Sequence, residues 1–140
     1  MLLPRVTAQL SDGLKKHLDD NTVFATMATI GRDGQPHLTV NWIERDGDEL
    51  QYSTTIARQQ YKNLMRDPRI TVAINPPDNP YVYAEVRGTV TLTTDETYEL
   101  PHRLSLKYTG KPYAEFNPDA ANDAQRVIVR ITPATVHGRL

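Results

Sequence analysis

The stretch that decides the fold runs from Phe24 to Thr55, FATMATIGRDGQPHLTVNWIERDGDELQYSTT. Thr22 to Ile30 reads as a buried strand, Gly31-Arg32-Asp33-Gly34 is turn chemistry, and Pro36 to Ile43 continues as a second strand. Asp46-Gly47-Asp48 is another turn, leading into a strand from Glu49 to Thr54. Strands joined by links this short can only pair antiparallel, because a parallel return needs a crossover of a dozen residues or more. A doubly wound sheet needs helices between most of its strands, and they are missing here.

The same reading extends outward. Leu10, Leu14 and Leu18 form one helical stripe, with Ser11 as its N-cap. A basic helix spans Ala57 to Arg66; Asp67-Pro68 ends it, with Leu64 and Met65 packing inward. Ile70 to Asn75 is a strand, Asn75 to Pro80 a Pro-rich loop, and Tyr81 to Thr93 a long strand with Gly88 at a bulge. Thr93 with Glu96 resembles a capping box for a helix to Tyr108. Gly110 to Asp123 reads as a loop, Arg126 to Ile131 as a strand, and Ala134 to His137 as a shorter one. Six or seven strands and three short helices result. A small, mainly β, antiparallel barrel with flanking helices closes the sheet edges.

A chain of 140 residues makes one domain, residues 1–140, with one real core. The net charge of −1 provides no global positive field for nucleic acid. The absence of cysteine excludes disulfides and a thiolate nucleophile and fits a reducing, cytoplasmic compartment. The N-terminus MLLPRVTAQLSDG lacks the apolar core and cleavage signature of a leader. No run of apolar residues is long enough for a membrane span. The four histidines are scattered, so no metal site is expected.

Tyr52 to Thr71, YSTTIARQQYKNLMRDPRIT, carries the chemistry. The hydroxyls of Ser53, Thr54 and Thr55 end a strand, and Arg58, Lys62 and Arg66 follow at spacings of four. A strand, a hydroxyl turn and a basic helix start together make a phosphate-anchoring device. Arg58 can form two parallel bonds to phosphate oxygens, and the helix start adds partial positive charge. The plainer reading of Arg58 is a solvated helix face, and that of Thr54 or Thr55 is an N-cap. His37, Thr39 and Asn41 alternate on one strand and share a face opposite Leu38, Val40 and Trp42. Arg126 opens the last strand, where it either neutralises an acidic tail on a ligand or is an ordinary surface arginine.

Five fragments in order carry a resemblance: FATMATIGRDGQPHLTVNWIERDGDELQYSTT, ARQQYKNLMRDPRITVAI, DNPYVYAEVRGTVTL, LSLKYTGKPY and RVIVRITPATV. The chain resembles the pyridoxamine 5′-phosphate oxidase-like (PPOX class) split-barrel flavoproteins, in particular the small actinobacterial branch that uses coenzyme F-420, a deazaflavin. The resemblance implies a six-stranded antiparallel split β-barrel of FMN-binding type and a homodimer with two cofactor sites in grooves between subunits. Arg58 and Gln60 match positions that bind cofactor phosphate in the family. The second is commonly lysine, so Gln60 supplies a neutral donor where a charge is expected. The strand of His37, Thr39 and Asn41 borders the cofactor ring in the resembled fold, its polar face being the favoured one. His37 is either a proton donor there or, as its plainer reading, an ordinary surface histidine, in which case solvent supplies the proton. Tyr81 matches an aromatic position that flanks the cofactor from the partner subunit; an ordinary core or dimer contact explains it equally well.

The expected function is that of an F-420-dependent oxidoreductase passing hydride to a small organic acceptor. The alternatives are an FMN-dependent enzyme of the pyridoxamine-phosphate-oxidase type and a non-catalytic protein that binds flavin, deazaflavin or haem. The cofactor carries the chemistry in such enzymes, so no side chain is singled out as catalytic. The expected partners are a small-molecule substrate and a second copy of the chain, with neither nucleic acid nor membrane.

Overall fold

The computed structural model describes residues 7–119 and 123–140. Residues 1–6, in the N-terminal stretch read above for a leader, and residues 120–122, in the loop after Gly110, lie outside the described residues. The elements in order are α1 (Asp12–Asp20), β1 (Phe24–Ile30), β2 (Pro36–Trp42), β3 (Glu44–Asp46), β4 (Glu49–Thr55), α2 (Gln59–Arg66), β5 (Arg69–Ile74), β6 (Ala84–Thr94), α3 (Glu99–Thr109), α4 (Tyr113–Phe116) and β7 (Arg126–Gly138).

Every strand pairing is antiparallel, in the order β2-β1-β5-β6-β7-β4-β3. The two outermost strands, β2 and β3, are separated in sequence by Ile43 alone. One bent strand therefore borders both ends of the sheet and curls it into a barrel, leaving little open edge. Counted as one, β2 and β3 give the six strands expected; the break at Ile43 makes seven. The alternation that defined the strands is the alternation of burial: Ala25, Met27 and Thr29 of β1 and Ile70, Val72 and Ile74 of β5 point inward. Leu14 and Leu18 of α1 join this core, and Ser11 caps the helix by accepting from the Leu14 N–H at 3.0 Å.

Tyr108, at the end of α3, pins the barrel corner. Its hydroxyl accepts from the backbone N–H groups of Val23 and Ile43, both at 3.1 Å, and donates to the Val23 carbonyl at 2.6 Å. Burial raises its pKa, so the phenol stays a neutral donor.

Several local expectations change. β6 begins at Ala84 rather than Tyr81 and runs to Thr94, so Thr93 and Glu96 form no capping box; buried Asp95 instead accepts from the Leu100 N–H at 3.4 Å. The extra residue of the bulge is on β7: Arg87 faces Thr135 and Gly88 faces Pro133, which skips Ala134. Gly88 permits this, because a Cβ there would sit 2.2 Å from the Thr132 carbonyl oxygen. β7 is thus one strand rather than two pieces, and the loop after Gly110 carries the short helix α4. Helix α2 begins at Gln59, with Arg58 rather than a threonine in the N-cap position and no side-chain cap. Leu64 is buried as expected, but Met65 is 63% exposed, since consecutive helical residues point about 100° apart. Among the described residues, no helix is long and apolar enough to cross a membrane.

Candidate functional site

The site forms where β4 ends. Its last pairs with β7 set Thr55 opposite Arg126, Thr54 opposite Val127 and Ser53 opposite Ile128. The chain then turns, with the Arg58 N–H on the Thr55 carbonyl at 3.1 Å, and enters α2. Beside this turn lies a cleft with about 240 Å³ of space. Its polar lining comes from Asn41, Ser53, Thr54, Arg58, Gln60 and Arg126, and its apolar lining includes Phe24, Val40, Trp42, Leu104 and Phe116. Trp42 is fixed by stacking on Tyr108, with ring centres 5.1 Å apart, and meets Phe116 at 5.2 Å.

The cleft wall contains donors with nothing to bond. Among the described residues, Ser53 Oγ, Thr54 Oγ1 and Arg126 Nε are buried and have no hydrogen-bond partner. A buried unpaired donor costs about 1–3 kcal/mol, so each of these calls for a partner such as water or a ligand. Ser53 and Arg126 share one face of the β4–β7 pair, and Thr54 is on the other. Arg58 is exposed, and among the described residues its side chain makes neither ion pair nor hydrogen bond. Arg126, by contrast, is 8% exposed and bound to Asp123 and Tyr113.

Gln60 also lines the cleft, yet its carboxamide is already used. Its oxygen accepts from Tyr52 Oη at 2.9 Å and Thr39 Oγ1 at 3.5 Å, and its nitrogen donates to Asn41 Oδ1 at 3.4 Å. Tyr52 is fully buried, which pushes its phenol pKa far above the usual value and keeps it a donor. A neutral amide suits this spot, because these three neighbours offer no carboxylate to balance a lysine. Lys62 lies beside a different hollow, with Arg32 and Arg66.

The structure thus brings Asn41, Ser53, Thr54, Arg58, Gln60 and Arg126 around one cleft. Thr39 stands one step behind, accepting from Asn41 Nδ2 at 2.9 Å. Thr55 is buried and serves the turn through its carbonyl. His37 lies elsewhere, by the Gly31–Pro36 turn with Gln59 and Asn63, and Tyr81 is 88% exposed and does not line the cleft. The sequence reading missed the aromatic wall. Tyr113 and Phe116 fall in the stretch read as a loop, and both line the cleft. Among the described residues, no group of three or more metal-ligating side chains is present.

The family profile described as pyridoxamine 5′-phosphate oxidase matches residues 13–139. A solved structure titled F420 reductase is 30% identical, with 91% of this chain and 98% of that chain covered and a TM-score of 0.78. Rv2991 from Mycobacterium tuberculosis, titled a conserved hypothetical protein, is 26% identical over 96% of this chain and 88% of its own, with a TM-score of 0.72. A pyridoxamine 5′-phosphate oxidase-related, FMN binding protein from Nostoc punctiforme shares the fold at 16% identity and a TM-score of 0.57, over 81% of this chain and 72% of its own. No curated protein matches the chain.

Proposed function

Since the chain belongs to the pyridoxamine 5′-phosphate oxidase family of split-barrel proteins, we propose that it is a cytoplasmic oxidoreductase using coenzyme F-420, with a small organic molecule as hydride acceptor. The observation that carries this reading is the cleft where unpaired Arg58 stands at the start of α2 beside the unbonded hydroxyls of Ser53 and Thr54. That donor set fits an oxygen-rich anionic ligand. The similarity to an F420 reductase supports the deazaflavin as that ligand.

When bound, the deazaflavin would supply the hydride. The chain's own residues bind, orient and exclude water. Arg58 would hold the phosphate, and Ser53 and Thr54 would donate to neighbouring hydroxyls of the ligand. Phe24, Val40 and Trp42 provide a dry wall for a planar ring. The cleft's formal charge favours a singly charged phosphodiester over a dianionic phosphate. Arg58 is its free cation, Asp123 offsets Arg126 at 2.9 Å, and Gln60 is neutral. FMN, whose phosphate is a monoester, is therefore the second choice. Among the described residues, no carboxylate or histidine lines the cleft, so protonation of product is assigned to solvent. The same absence favours a second reading, a non-catalytic flavin or deazaflavin carrier.

A homodimer completes the proposal. Phe24, Leu38 and Val40 are 60–64% exposed on neighbouring strands β1 and β2, and Phe24 and Val40 continue into the cleft. An apolar patch of this kind is an interface for a second copy. Titration of purified protein with each cofactor is the deciding experiment. Binding of F-420 tighter than FMN is expected; submicromolar FMN binding with no F-420 binding overturns the assignment. If loaded protein fails to oxidise reduced F-420 with any of a broad panel of acceptors, the carrier reading replaces the enzyme.

A further inference from the structure

Arg126 opens β7 opposite Thr55, and its guanidinium is held at Nη2 by two acceptors with an aromatic ring beside it. It donates to Asp123 Oδ2 at 2.9 Å and to the Tyr113 hydroxyl, and its central carbon lies 4.7 Å from the centre of the Tyr113 ring. Asn117 Nδ2 ties the holders together, donating to Tyr113 Oη at 3.0 Å and to Asp123 Oδ2 at 3.3 Å. A planar guanidinium clamped in this way has no freedom to search for a partner, yet its Nε–H is buried and unbonded. The hydroxyl of Ser53, on the same face of the neighbouring strand β4, is unbonded too.

We infer that Tyr113 and Asp123 are positioning residues that lock Arg126 so that its Nε–H, with the Ser53 hydroxyl, forms a second subsite of the cleft for an uncharged oxygen of the bound molecule, a carbonyl or hydroxyl. The oxygen is uncharged because the cation is already balanced. A second anion would meet the Asp123 carboxylate across the same guanidinium, whereas a neutral acceptor satisfies the leftover N–H without electrostatic conflict. Arg58, unpaired and exposed, is where net negative charge binds. This subsite rests on the cofactor reading above and adds to it: Arg58 reads charge, and Arg126 reads oxygen placement.

The test is titration of the full chain with coenzyme F-420 over a range of salt concentrations, comparing wild type, Tyr113→Phe, Ser53→Ala and Arg58→Ala. Tyr113→Phe and Ser53→Ala are each expected to weaken binding roughly threefold to tenfold while leaving the salt slope unchanged, because no net charge is lost. Ser53→Ala is also expected to raise the melting temperature of the unliganded protein, since it removes a buried hydroxyl that bonds nothing there. A merely structural hydroxyl would lower it. Wild-type affinity in Ser53→Ala, or a salt slope flattened in Tyr113→Phe as in Arg58→Ala, overturns the subsite while the cofactor reading stands. Failure of the wild type to bind either F-420 or FMN overturns the cofactor reading, and the subsite with it. If Tyr113→Phe does not fold, Ser53→Ala decides alone.

Discussion

Two arginines line the cleft, and they are opposites. Arg58 sits in the N-cap position of α2, exposed, with no side-chain partner among the described residues. Arg126 is buried at the start of β7, with a carboxylate and a phenol on its guanidinium and an aromatic ring beside it. The same side chain is a free charge in one place and a neutralised, rigid donor in the other. Surroundings set this difference: a solvated turn holds no counter-charge, whereas a buried guanidinium is tolerated only with one.

The contrast can be broken at the free arginine first. Arg58→Ala is expected to weaken F-420 binding by on the order of 1.5–3 kcal/mol, the range for a charge-assisted bond, and to flatten its salt dependence. Isothermal titration at several ionic strengths measures both, and unchanged binding would return Arg58 to a solvated helix face. At the other arginine, Asp123→Asn strips the balancing charge from Arg126. Because Asp123 is about a quarter exposed, the expected loss of unfolding free energy in urea is moderate, about 1–2 kcal/mol. The freed cation should also steepen the salt dependence of F-420 binding, making Arg126 behave like Arg58. Unchanged stability and an unchanged slope would mean that Asp123 does not balance it.

The neutral amide of the cleft gives a smaller effect. Gln60→Leu removes the acceptor of the Tyr52 hydroxyl and the tie to Asn41, with an expected cost of about 1 kcal/mol in chemical denaturation. The smallest effect is a pH control remote from both arginines. The Arg69 guanidinium beside Asp67 holds that carboxyl down at about 2. A depressed carboxyl stabilises the fold fully above its ordinary value of 3.8, and the contribution fades as pH falls through about 2. Carboxyl-carbon NMR should show this low midpoint. Changes in cofactor binding above pH 5 then cannot come from this pair.

Local chemistry was legible where a few adjacent residues decide it. Ser11 caps α1, and Gly34 and Gly47 take the positive φ values of 84° and 63° that their turns demand. The break expected between Ile131 and Ala134 does not occur. Pro133 fits within β7 because it adjoins the bulge at Ala134, where the ladder is already interrupted. Of the candidate site residues, Asn41, Ser53, Thr54, Arg58, Gln60 and Arg126 line the cleft, while His37 and Tyr81 do not. Alternation shows that His37, Thr39 and Asn41 share a face, but not how far along a strand a cleft extends. Tyr113 and Phe116 were invisible as wall residues because their short helix gains its position from Arg126 and Trp42, distant in sequence.

By itself, the sequence determined the antiparallel topology, the turns and the basic helix start, because short links and turn residues act through neighbours along the chain. Only the tertiary structure decided that Ile43 joins the two ends of the sheet, that Gln60 is consumed by Tyr52, Thr39 and Asn41, and which arginine is free. Those outcomes depend on burial and on partners brought together across the barrel, and a side chain's charge counts for what its surroundings leave unbalanced.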